Sequence, residues 1–122
     1  DDNVLSQMDR ALRDSVAEIC HKSGLEYELE QIFYYAPIPF DKGCVSAVRA
    51  GADKMGYSAR EIVTGAGHDA CFIAQSAPTS MIFIPCIDGI SHNEVEDIKP
   101  EWATAGANVM LQAILEKAGV SE

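Results

Sequence analysis

The chain has 122 residues, 48% of them hydrophobic and 23% charged, which suits one domain and is too apolar for a disordered segment. A chain of this length can bury about two thirds of the surface it exposes when unfolded, so a core is expected. Nineteen acidic against nine basic residues give a formal charge of −10, which repels phosphate backbones and anionic lipid and argues against nucleic-acid and membrane partners.

From the N-terminus, Val4, Leu5, Met8, Leu12, Val16 and Ile19 recur at three- and four-residue steps and predict an amphipathic helix over 3–22. Asp1, Asp2 or Asn3 can cap its start and Gly24 can end it. Residues 25–35 then alternate, with Glu26, Glu28 and Glu30 on one face and Tyr27, Leu29, Phe33 and Tyr35 on the other, the pattern of a strand with one wet face. Pro37 and Pro39 force an extended connector, and a boundary is placed here. Asp41 is positioned to cap a second helix through about Met55, with Val45, Val48, Ala52 and Met55 inward and Gly56 as its stop.

A short strand is expected over 61–64, then a Gly65-Ala66-Gly67 loop and a short helix from His68-Asp69 to about Gln75. Met81–Cys86 is apolar without alternation and reads as a strand buried on both faces. At six residues it is far short of the ~20 that span a bilayer. After the Asp88-Gly89 turn and an acidic stretch, Pro100 opens a last helix to about Lys117, with Trp102, Ala105, Val109, Ala113 and Ile114 inward. Its small residues permit close packing on a sheet. The expected class is α/β, with about four helices and three strands.

Cys20, Cys44, Cys71 and Cys86 form no C-x-x-C pair and sit among apolar neighbours, so they read as reduced, mostly buried thiols of a cytoplasmic protein. The acidic start does not resemble a secretory signal, and the absence of an initiator Met reads as a piece of a longer chain.

Two segments combine loop geometry with ionisable groups. In Gly65-Ala66-Gly67-His68-Asp69, glycines let backbone N–H groups approach an anionic or carbonyl ligand; the plainer reading is a tight turn. In the 89–96 loop, His92 follows an apolar run and Glu96 lies four residues on, within reach of the imidazole if the segment is helical; the plainer reading is a solvated acidic loop. Five of the nineteen acidic residues lie between Asp88 and Glu101. The spacing of His68, Asp69, His92, Glu94 and Glu96 matches no self-contained metal motif. A Cys–His nucleophile using Cys86 or Cys71 is a separate possibility.

Thr64-Gly-Ala-Gly-His-Asp-Ala70, Met81-Ile-Phe-Ile-Pro-Cys-Ile-Asp-Gly-Ile-Ser-His-Asn-Glu94 and Gly106-Ala-Asn-Val-Met-Leu111 together resemble the hydantoinase/carbamoylase amidases. That family includes N-carbamoyl-L-amino-acid hydrolases, β-ureidopropionases and allantoate amidohydrolases, a branch of the two-domain dinuclear-metal peptidases. The resemblance implies that residues 1–36 are the C-terminal part of a lid or dimerisation domain and 37–122 that of the metal-binding catalytic domain. It assigns His92 to metal ligation, Glu96 to orienting it, and Gly65, Ala66, Gly67 and His68 to substrate binding. It also implies two divalent ions (Zn, Mn, Co or Ni), a small carbamoyl or ureido substrate, release of ammonia and CO2, and a homodimer through the lid. The remaining ligands and the catalytic base are expected upstream, so no catalysis is expected of these residues alone. A non-catalytic α/β binding module of the same ancestry is the other reading.

Overall fold

The computed structural model describes residues 1–119, which divide into two units, Asp1–Ile38 and a second beginning at Pro39.

In the first unit, helix α1 (Asp2–Ser23) starts where the Asp1 carboxylate accepts the Asn3 N–H at 2.9 Å. It ends at Gly24, whose left-handed φ of 64° lets the Leu25 N–H reach back to the Cys20 carbonyl at 2.9 Å. The expected caps are therefore both present. Of the predicted apolar stripe, Leu5 and Val16 are half-covered, while Val4, Met8, Leu12 and Ile19 are each more than half exposed. The half-covered side is completed by Asp9, Arg13, Ala17 and Cys20. Phe33 and Tyr34 line a shallow groove there with Leu5 and Asp9.

The second unit contains α2 (Lys42–Lys54), α3 (Asp69–Ile73), a single 3-10 turn at Ile87–Gly89, and α4 (Pro100–Ala118). The Asp41 carboxylate caps α2 by accepting the Cys44 N–H at 2.8 Å, and the Asp41 N–H is tied to the Thr79 carbonyl at 3.0 Å. Beyond α2, Gly56 is left-handed at φ 72° and the Tyr57 N–H closes on the Ala52 carbonyl at 2.9 Å. The short third helix stops two residues before the expected Gln75. The last begins at Pro100, as its sequence predicts.

The core is where α2 crosses α4. Ala47, Gly51, Ala52 and Val109 are the buried residues. A Cβ on Gly51 would lie 3.0 Å from the Val109 carbonyl oxygen and 3.1 Å from Gln112 Cβ, so a side chain here would push the backbones apart by a few tenths of an ångström. On α4, a Cβ on Gly106 would meet Ile84 Cγ2 at 2.7 Å. The 81–86 run thus leans on α4 at a second glycine. Tyr57 adds a polar tie, its hydroxyl accepting from Asn108 Nδ2 at 3.3 Å. Arg49 pairs with Glu61.

The α/β expectation is overturned, because the described residues are helical and contain no strand. Residues 25–35, 61–64 and 81–86 form no ladder. The expected dry face of 25–35 is also absent, since Tyr27, Leu29, Phe33 and Tyr35 are exposed along with the glutamates. A strand needs a neighbour that exchanges N–H···O=C bonds with it, and the described residues show no such ladder for the three segments. The 81–86 run is also not buried on both faces: Met81, Ile82, Ile84 and Cys86 are half-buried and Phe83 is exposed. The four cysteines are free and half-buried rather than mostly buried. No helix among the described residues is long and apolar enough to cross a membrane.

Two consequences can be measured. Gly106→Ala should destabilise the protein by about 1–3 kcal/mol through overpacking, despite a gain of about 1 kcal/mol in helix propensity. In an Ile84→Ala background, Gly106→Ala should cost less than it does in the wild type. Denaturant unfolding decides this, and a more stable Gly106→Ala protein would overturn the packing. Separately, hydrogen bonds from Cys44, aided by the charge of Lys117, hold the Asp41 carboxyl below its ordinary pKa. Its contribution is complete above the unfolded value of about 3.9 and is lost as pH falls through the lower folded value. The thermal-stability gap between wild type and Asp41→Asn should therefore be full at neutral pH and close in acid.

Candidate functional site

Residues 64–68 form a small hydroxyl-centred turn. Thr64 Oγ1 accepts the Ala66 N–H at 3.1 Å and lies 3.0 Å from His68 Nε2. The His68 ring also meets Phe83 edge to face, centroids 5.4 Å apart. The half-buried His68 is thus held from two sides, with its main chain extended at the head of α3. Gly65 and Gly67 are exposed, are not left-handed, and have nothing within 4 Å of where a Cβ would stand. Neither the turn nor packing requires them, so they leave this edge of the loop bare. Thr64 and Phe83 were not singled out from the sequence. A hydroxyl two residues before Ala66 is the one available signal for the first.

Residues 86–97 form the second segment. The Ile87 N–H donates to the Asp97 carbonyl at 2.8 Å and closes its neck. Gly89 and Ile90 N–H groups bond the Cys86 and Ile87 carbonyls at 3.1 Å each. On the far side, Asn93 Oδ1 accepts the Val95 N–H at 3.1 Å and the Asn93 carbonyl accepts the Glu96 N–H at 2.9 Å. The segment is not helical, so the expected Glu96–imidazole contact does not form. The Glu96 carboxylate instead accepts the main-chain N–H of His92 at 2.6 Å. Its other oxygen takes the Cys86 thiol at 3.5 Å. His92 is exposed and left-handed at φ 58°, and Asp88 is left-handed at φ 55°. For a non-glycine residue that backbone costs about 1–2 kcal/mol.

The Cys–His reading gains nothing from this geometry. Among the described residues no thiol hydrogen-bonds a histidine ring, and Cys71 meets His68 only through its N–H on the His68 carbonyl at 2.9 Å. Burial, then the Glu96 carboxylate, push the Cys86 thiol above its ordinary pKa, the reverse of an activated nucleophile.

The family model for peptidase family M20/M25/M40 matches residues 5–116. The chain belongs to that family. Peptidase family M20 is generally one of metal-dependent hydrolases. An amidase of the hydantoinase/carbamoylase family from Burkholderia multivorans has a solved structure that superposes on the chain with a TM-score of 0.93, at 63% identity over all of this chain and 30% of that one. A hydantoinase/carbamoylase family amidase from Burkholderia ambifaria does so at TM-score 0.88 and 41% identity, over all of this chain and 29% of its own. An N-carbamoyl-L-amino-acid amidohydrolase of Rhizobium meliloti is 44% identical over the whole chain, which spans 29% of that protein. The allantoate amidohydrolase of Bacillus subtilis is 32% identical over 77% of the chain and 23% of its own length. The chain therefore spans less than a third of the relatives it matches.

No group of three or more His, Cys, Asp or Glu side chains among the described residues is placed to bind an ion. His92 is a single exposed imidazole, and a catalytic metal site wants at least three protein ligands.

The left-handed backbone of His92 predicts an inverted order of stabilities. His92→Gly and His92→Ala both remove the imidazole, but glycine accepts φ 58° freely and alanine does not. The glycine variant should be more stable than the alanine variant by about 1 kcal/mol, read by chemical denaturation. Equal stabilities would overturn the backbone assignment.

Proposed function

We propose that these residues serve an enzyme that hydrolyses a C–N amide bond in an N-carbamoyl amino acid or related ureido compound, with release of ammonia and CO2. The observation that carries this reading is the 63% identity, along the whole chain, to a hydantoinase/carbamoylase family amidase. The names of the Rhizobium meliloti and Bacillus subtilis relatives support the substrate class.

Within it, His92 supplies one ligand of a pair of divalent ions (Zn, Mn, Co or Ni). The other ligands and the general base come from residues outside these 122. The bare main chain of Gly65, Ala66 and Gly67, with the fixed ring of His68, receives the substrate. What supports that role is the open space at both glycines and the double restraint on His68. Residues 1–36 supply a lid and a homodimer contact, and the exposed apolar side chains of Val4, Met8, Leu12 and Ile32 are consistent with such a contact.

The test is ammonia release from N-carbamoyl-L-amino acids, N-carbamoyl-β-alanine and allantoate by the intact protein supplied with divalent metal. Hydrolysis of at least one, with bound metal and turnover both reduced in His92→Ala, is the expected outcome. No ammonia from any substrate would overturn the reaction class. Full metal content and activity in His92→Ala would overturn the role of His92.

A further inference from the structure

We propose that Glu96 is the positioning residue of the His92 loop, acting through the main chain rather than the imidazole. The two halves of the loop are each internally bonded, 86–90 by its 3-10 turn and 93–96 by the Asn93 turn. Between them, His92 is exposed, so packing does not set its conformation. Its left-handed backbone is uncommon for any non-glycine residue and costs energy that neighbouring interactions must offset.

The interaction that holds it is the Glu96 carboxylate on the His92 N–H at 2.6 Å. A carboxylate accepting a main-chain N–H makes a stronger bond than a neutral acceptor would. The second carboxylate oxygen receives the Cys86 thiol at 3.5 Å, so one side chain joins the root of the loop to its exposed crown. Because φ at His92 sets where its Cβ points, Glu96 aims the imidazole without touching it. Deletion of the carboxylate frees the His92 N–H and lets the residue relax. Glutamine keeps one acceptor oxygen at the same reach, and its NH2 can face the sulfur, a weak acceptor.

The value of this device to catalysis rests on the proposed role of His92, but the device itself is measurable without turnover. Amide hydrogen exchange in the intact protein reads the His92 N–H directly. Glu96→Ala should accelerate exchange at His92 by about tenfold or more, with amides of α2 and α4 unchanged, and Glu96→Gln should restore most of the protection. Unchanged exchange at His92 in Glu96→Ala would overturn the proposal. So would uniform acceleration through α2 and α4 in both variants, which marks a general stability role. Ammonia release is followed on the same samples. Loss of turnover in Glu96→Ala with recovery in Glu96→Gln supports positioning, and full turnover in Glu96→Ala overturns it. A wild-type protein that hydrolyses no ureido compound removes the functional reading and leaves the exchange result to decide the device.

Discussion

The close approach of α2 and α4 is the constraint on which the second unit depends. It exists because Gly51 presents no side chain to the Val109 carbonyl, and because Ala47 and Ala52 flank it with the smallest side chains available. Small residues make poor cores by transferred area, since each removes little apolar surface from water. They make good contacts by distance, because dispersion falls steeply with separation and the helix backbones themselves supply the partner atoms. Gly106 repeats the arrangement one layer out, where Ile84 takes the place a methyl would fill.

That economy has a cost in coverage. Few residues are buried, while Ile62, Val63, Phe72, Ile73, Leu111 and Ile114 all remain more than half exposed. The irregular segments are therefore held by individual polar ties more than by burial. Asp41 on Thr79, Tyr57 on Asn108 and Ile87 on Asp97 each pin one point of a loop. Both candidate loops follow the same logic. One is organised around the Thr64 hydroxyl and the other around the Glu96 carboxylate, and in each a single side chain bonds two partners at once.

Much of this was legible in the residues. The Asp41 cap, and Asp1 as one of three candidates, were readable because an N-cap is a bond between groups two or three residues apart; the Gly24 stop and the Pro100 start were readable because glycine accepts the left-handed end and proline the first turn. Ala52 and Val109 were placed inward correctly; Met55 and Ile114 were not and are exposed, since apolar spacing shows that a face exists and says nothing of what lies opposite it. The likeness to the amidases was likewise readable from three short strings, because close relatives retain side chains one by one. The relation of Glu96 to His92 was read with the right residues and the wrong atoms. Spacing brings two side chains near each other only if the segment is helical, and here it is a closed loop.

By itself the sequence determined the local features: where helices begin and end, and the family to which the residues belong. Each depends on interactions over a few positions or on residue identity alone. The tertiary structure decided the rest. It alone showed that the three segments expected as strands form none among the described residues, that α2 and α4 meet at a glycine, and that His92 is left-handed under the hold of a carboxylate. These are properties of pairs distant in the chain or of exact backbone angles, and hydropathy periodicity encodes neither.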